Sequence, residues 1–250
     1  FWGSSAGVSL KKITTVSGHA TAPIAKPQEI VLWYFGTSLV IADTTGDGTG
    51  EVIVGSAHAQ VNVTRNIITN AGVVASLTVR STGMSVKGMI LLSQRDKNIA
   101  GGVEDNDSFG RSLAAGDITG DGIADVLVSV SEDVGKVMEA GSVVLLRGSP
   151  KGLTGAKSQT LSQSSAGVPG SPEADDYFGS GMAVLNLDGA GGLDAAIGAP
   201  GEMIPGDPEF FPSGTVTTMF GTGKGLGNGV DISGRSLGVP GEGYGFLAHQ

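Results

Sequence analysis

Three stretches of this chain repeat one another in register: FGTSLVIADTTGDGTGEVIVGSA (35–57), FGRSLAAGDITGDGIADVLVSV (109–130) and FGSGMAVLNLDGAGGLDAAIGAP (178–200). In each, a polar loop begins eight residues after the Phe, and a small residue, Gly55, Ser129 or Gly198, falls twelve residues later. The copies start 74 and 69 residues apart, and Tyr244-Gly245 would open a fourth, 66 residues further on. A period of this kind means that one supersecondary unit is used repeatedly, each copy burying its faces only against its neighbours.

A second motif recurs out of phase with the first. FWGSSAGVSL (1–10), VLLRGSPKGLT (144–154) and TMFGTGKGLG (218–227) each join a strand to a Gly-rich turn and a second apolar run, and TVRSTGMSV (78–86) is a shortened version. These are hairpins, in which glycine supplies the positive φ of a tight turn. One unit therefore reads as four strands, at about 111–117, 124–130, 141–147 and 152–163 in the second copy. No helical periodicity competes with them. Four short strands per unit at this spacing predict an all-β chain, a β-propeller of four-stranded antiparallel blades.

The expected division is residues 1–34 for the end of one blade and a linker, 35–108, 109–177 and 178–243 for three blades, and 244–250 for the start of a further repeat. Propellers close with about four to eight blades. The terminal pieces would either combine into one composite blade or belong to a longer chain. Tyr244 to Gln250 is too short to supply the missing strands, so the expectation is an incomplete part of a larger propeller.

Composition narrows the function. The 250 residues carry 43 glycines, only 16% charged side chains and a net charge of −9. A phosphate-backbone binder needs clustered Lys and Arg, so nucleic acid is not an expected partner, and an anionic membrane surface is disfavoured for the same reason. No apolar run approaches the roughly 20 residues of a membrane helix, so no membrane insertion is expected. Phe1 is not followed by a basic region and an apolar stretch, the marks of a signal peptide. The absence of cysteine removes disulfides, thiolate zinc sites and cysteine nucleophiles.

The polar loop reads D-x-T-G-D-G-x-x-[DE]. Its acids are Asp43, Asp47 and Glu51 in the first copy and Asp117, Asp121 and Asp125 in the second. Carboxylates packed into nine residues repel one another unless a cation lies among them, and calcium takes six to eight oxygens from such loops. Thr45 and Thr119 at position 3 would add a hydroxyl or carbonyl oxygen, and Thr49 and Ile123 at position 7 a carbonyl. An EF-hand needs Glu at position 12 followed by a helix, whereas Val54 and Val128 stand there in apolar strands. The expectation is a strand–loop–strand calcium site in the first two copies. The third copy is weaker: Asn186, Asp188 and Asp194 remain, while Ala190 replaces the position-5 acid.

The FG opening, the D-x-x-G-D-G-x-x-D loop and the closing Gly198-Ala199-Pro200 resemble the FG-GAP repeat of integrin α-subunits and exported bacterial proteins. The resemblance covers 35–57, 109–131 and 178–200 most closely; Ser129-Val130-Ser131 stands where the second copy would carry GAP. It implies a propeller, often seven-bladed, with structural calcium between the first two strands of a blade. It further implies an extracellular, secreted or cell-surface module for adhesion or for recognition of a protein or glycan. Some relatives attach such propellers to exported hydrolases, which is the competing function.

No catalytic residue is expected in this chain. Gly3-Ser4-Ser5-Ala6-Gly7 matches the hydrolase elbow G-x-S-x-G, but that motif needs a strand-to-helix turn. The equivalent turns carry Pro150 and Gly223 in place of the serine. His19, His58 and His249 share no ligand spacing. The acidic runs Glu104-Asp105-Asn106-Asp107 and Glu173-Ala174-Asp175-Asp176 read as solvated inter-blade loops, and Asn62-Val63-Thr64 and Asn106-Asp107-Ser108 are glycosylation sequons.

Overall fold

A computed structural model describes residues 2–4, 7–9, 15–17, 30–64, 66–80, 83–204, 212–233 and 236–237. All its regular elements are strands, and among the described residues no helix is long and apolar enough to cross a membrane. The strands are β1 (Trp2–Ser4), β2 (Gly7–Ser9), β3 (Ile30–Val31), β4 (Ser38–Ala42), β5 (Glu51–Ser56), β6 (Gln60–Val63), β7 (Asn66–Ile68), β8 (Val73–Arg80) and β9 (Gly83–Leu92). They continue with β10 (Leu113–Gly116), β11 (Asp125–Val130), β12 (Ser142–Arg147), β13 (Thr154–Leu161), β14 (Gly181–Leu185), β15 (Asp194–Ala199), β16 (Thr215–Thr222) and β17 (Gly225–Ser233).

Each repeat folds as one antiparallel four-stranded meander, in the orders β4-β5-β8-β9, β10-β11-β12-β13 and β14-β15-β16-β17. The first strand of each sheet lies beside the first strand of the next, since β10 meets both β4 and β14. That is the arrangement of propeller blades about an axis. The outer hairpins fall where the Gly-rich turns predicted them, at β8–β9, β12–β13 and β16–β17. All three carry a register shift at the matching place, between Ser76 and Thr78, Leu145 and Arg147, and Met219 and Gly221. The N-terminal turn is also a hairpin, with β1 paired to β2; Ser5 lies outside the described residues, as do His19, His249 and the Tyr244 start.

The first unit holds more than four strands. A ribbon of β6 and β7 is inserted between β5 and β8 and pairs with β3 in a separate three-stranded sheet. Its core of Ala59, Val61, Ala71 and Val73 is small. The sequence does not set this ribbon apart from the 35–108 blade, because short β-branched runs look alike whichever sheet they join.

Cores lie between sheets rather than within them. Ile53, Val74, Phe109, Leu113, Val126, Val128, Val144 and Leu146 fill the seam between the first two blades. Leu127, Val143, Leu145, Phe178, Ala195, Ile197 and Met219 fill the next. The second blade is therefore buried on both faces, which explains why β11 reads DVLVSV without polar alternation. Each fully buried Leu, Val or Phe contributes about 1.5–3 kcal/mol.

The FG motif closes each seam. Phe109 and Phe178 are buried, and their N–H groups donate to Ala71 O at 3.0 Å and Ala140 O at 2.9 Å in the preceding blade. Gly72 (φ +83°) and Gly141 (φ +82°) lie against these backbones: a Cβ on Gly141 would sit 2.6 Å from Phe178 O, and one on Gly72 would collide with Phe109. Tyr34, Ser108 and Tyr177, each just before the Phe, all take positive φ, at 53°, 51° and 53°.

Candidate metal centres

Each acidic loop joins the first two strands of its blade, so all three lie at one edge of the array. They are also hydrogen-bonded in series. Ala124 N donates to Asp43 O and Leu193 N to Asp117 O, both at 2.9 Å, so position 8 of one loop is tied to position 1 of the loop before it.

Within the first loop, Asp43 organises the backbone. Its Oδ1 accepts the N–H groups of Thr45 (3.3 Å), Gly46 (2.7 Å) and Asp47 (3.2 Å) and the Thr45 hydroxyl (3.2 Å), while Oδ2 accepts Gly48 N–H at 2.7 Å. Desolvation pulls the Asp43 carboxyl upward, but the four N–H donors outweigh it and hold the group below the usual carboxylate range. Asp47 Oδ1 accepts Thr49 N–H at 2.8 Å. The second loop repeats the arrangement: Asp117 accepts Asp121 N–H at 3.0 Å and Gly122 N–H at 2.8 Å, and Asp121 accepts Ile123 N–H at 3.0 Å. Gly48 and Gly122 take φ of +85° and +87°, which lets the chain wrap around the position-1 side chain.

The third loop is shaped by weaker groups. Asn186 Oδ1 accepts Gly189 N–H at 2.6 Å, and Asp188 Oδ1 accepts Ala190 N–H at 2.7 Å. The wrap survives with an amide at position 1, so a negative charge there is not needed to form the turn.

The position-9 acids are turned inward. Glu51, Asp125 and Asp194 are 3%, 1% and 0% exposed, while positions 5 and 6 of each loop lie at the surface. Glu51 Oε2 accepts the N–H of Thr44 at 3.0 Å and its hydroxyl at 2.9 Å. Asp125 Oδ2 accepts the N–H and hydroxyl of Thr119 at 3.2 and 3.1 Å, and its Oδ1 accepts Gly148 N–H at 3.1 Å. Arg147 Nη1 lies 3.6 Å from Asp125 Oδ2. Burial pushes the Asp125 carboxyl upward against these partners. Asp194 Oδ2 accepts Leu187 N–H at 2.6 Å and Asp188 N–H at 3.2 Å, and Oδ1 accepts Gly221 N–H at 2.8 Å. In the second and third blades this residue thus fastens the inner loop to the outer hairpin, a role invisible in the loop motif alone.

This geometry bears directly on calcium. Among the described residues no three His, Cys, Asp or Glu side chains converge in a metal cage. Positions 1 and 5 carry carboxylates in the first two loops, and Glu51 uses only one oxygen in its bonds to Thr44. Asp125 uses both oxygens, which distinguishes the position-9 acid of the second loop from that of the first.

Other expected features lie elsewhere. His58 is exposed, with Nδ1 3.2 Å from Asn70 Oδ1 and its ring 4.9 Å from that of Tyr34. The acidic runs before FG are only partly solvated. Glu104 and Asp105 are exposed, but Asp107 (4% exposed) and Asp176 (0%) turn inward to accept the N–H groups of Glu104 and Glu173, each at 2.6 Å.

Two kinds of similarity accompany this geometry. The FG-GAP repeat family model matches residues 109–146. Integrin alpha-4 of Xenopus laevis is 31% identical over 168 residues, which is 66% of this chain and 14% of that protein. Integrin alpha-8 of Mus musculus is 31% identical over 147 residues, 58% of this chain and 12% of that protein.

Proposed function

The chain is an FG-GAP repeat protein, integrin-α-like in sequence, and we propose that it is a calcium-stabilised β-propeller module for extracellular recognition. The observation that carries the calcium part is the recurrence of D-x-T-G-D-G at the same loop of two adjacent blades. Asp43 and Asp47, with Thr45 and Thr49, would hold one ion, and Asp117 and Asp121, with Thr119 and Ile123, another. Glu51 would close the first set with the oxygen its bonds to Thr44 leave clear, whereas Asp125 would close the second only by sharing oxygens with the bonds it already makes. The third loop, with Asn186, Asp188 and Asp194, holds calcium weakly at most. An ion in either of the first two loops would stiffen a segment hydrogen-bonded to the next blade.

The role of the ion is structural. Extracellular calcium modules bind at about 10⁻⁴ to 10⁻³ M. At ~1 mM calcium and a dissociation constant of ~0.1 mM, mass action adds about 1.4 kcal/mol per site. Calcium at that level belongs to the cell exterior, which supports a secreted or cell-surface location. The partner is a protein or glycan bound by the inter-strand loops, because loops on a rigid scaffold carry recognition. Binding, rather than catalysis, is the activity.

The test is thermal unfolding with calcium and with chelator, alongside calorimetric titration of calcium. The proposal expects a higher melting temperature in calcium, with two binding events. Identical melting in both conditions, or no heat of binding, overturns it.

A further inference from the structure

Among the described residues, both seams between blades are crossed by a glutamine–glutamate pair. Gln94 follows β9 in the first blade, and its Nε2 donates to Oε2 of Glu132, beyond β11 in the second, at 2.8 Å. Gln163 follows β13, and its Nε2 donates to Oε2 of Glu202, beyond β15 in the third blade. The two glutamines end matching Leu-Ser-Gln runs, 92–94 and 161–163. They are 6% and 4% exposed, and in both the Oε1 atom is buried with no hydrogen-bond partner. A second buried acid accompanies each pair, Asp107 at the first seam and Asp176 at the next. Asp176 Oδ1 is likewise buried without a partner.

The surroundings are acidic throughout. Asp107 faces Glu132, Glu104 and Asp133, and Glu132 faces Glu104, with Ser142 donating its hydroxyl to Glu132 Oε1. Glu202 faces Asp176, Glu173 and Asp231, and Asp231 is itself held by the Thr217 hydroxyl at 2.6 Å. The neighbouring charges that raise these buried acids are other carboxylates. A cavity of about 250 Å³, lined in part by Gly101, Glu104, Glu132 and Asp133, connects the first seam to solvent.

An ionised carboxylate only accepts, so it can satisfy the glutamine N–H but never the glutamine carbonyl. A neutral carboxyl has an O–H to give, and acid and primary amide then match donor for acceptor. We propose that Gln94–Glu132 and Gln163–Glu202 are proton-operated latches between blades: the glutamate engages as a neutral acid, donating its O–H to the glutamine Oε1, and its deprotonation loosens the seam. The proton comes from bulk solvent and returns to it. Burial pushes Glu202 up to about 7, Asp107 to about 7 and Asp176 to about 6, and raises Glu132 in the same direction. A carboxyl raised in the folded state binds more protons there than in the unfolded chain, so stability falls as pH rises from about 4 to about 7.

The latches do not depend on calcium, so the test is run in excess chelator. Thermal unfolding of the 250-residue chain is followed at pH 5.5, 6.5 and 8. The melting temperature falls by roughly 5 °C or more across this range. The double variant E132Q/E202Q keeps an amide-compatible pair that cannot titrate, and it loses about half of the fall, Asp107 and Asp176 supplying the rest. A melting temperature that rises with pH, or a variant with the full slope of the parent, overturns the proposal. Infrared spectroscopy decides independently of whether the variant folds. In D107N/D176N, which leaves both glutamates in place, a protonated carboxyl band present at pH 6 and gone by pH 9 supports the latch, and its absence at pH 6 overturns it.

Discussion

Asp125 accepts from Thr119 and Gly148 and lies beside Arg147, so its removal strands two backbone donors and a largely buried guanidinium. Asp125→Ala is expected to cost about 2–4 kcal/mol in chelator, measured by urea unfolding. Asp121→Ala, at an exposed position, should stay within about 0.5 kcal/mol under the same conditions. Calcium reverses the emphasis. Asp47→Ala and Asp121→Ala should each remove part of the calcium-induced rise in melting temperature, and Asp47→Ala the larger part, because Glu51 has an oxygen to spare while Asp125 has none. Equal losses from the two variants would show that the position-9 acids do not distinguish the loops. The motif spacing located all of these residues. It could not tell a side chain facing the loop from one facing the hairpin, since Gly148 and Gly221 lie 23 and 27 residues away from the acids they bond.

At the scale of the element, the blade is a meander whose seams are sealed by Phe and Gly. Phe178→Ala should cost about 3–5 kcal/mol by leaving a cavity between the second and third blades, read from the urea midpoint. Gly141→Ala should cost at least 2 kcal/mol, because φ is +82° and the added Cβ would meet Phe178 O at 2.6 Å. Strand positions in the second repeat were legible to within about two residues. The β6–β7 ribbon was not, because nothing in QVNV or NII specifies a partner other than the blade edge. The recurrent register shift before the outer hairpin was also hidden, being a property of pairing rather than of composition.

For the whole molecule, burial is uneven. The second blade is covered on both faces, whereas the third leaves Leu185, Val216, Val230 and Ile232 between 38% and 55% exposed on one face. An apolar sheet face of this kind promotes association. The isolated 250-residue chain is therefore expected to self-associate with rising concentration, and Val216→Thr with Val230→Thr and Ile232→Thr should reduce it in sedimentation velocity. A chain that stays monomeric at all concentrations, or a triple variant that associates equally, contradicts this.

Periodicity by itself determined the architecture, because a unit repeated every 69 to 74 residues with four short strands has few ways to bury its faces other than stacking on its copies. It also placed the acids on one loop, since their spacing is local. Tertiary structure alone decided what those acids touch. Glu51, Asp125 and Asp194 turn inward, Asp107 and Asp176 leave their solvated runs for the seams, and Gln94 and Gln163 meet glutamates 38 and 39 residues away. Each of these is a long-range choice between water and a buried partner, made by the geometry of adjacent blades rather than by any neighbour in sequence.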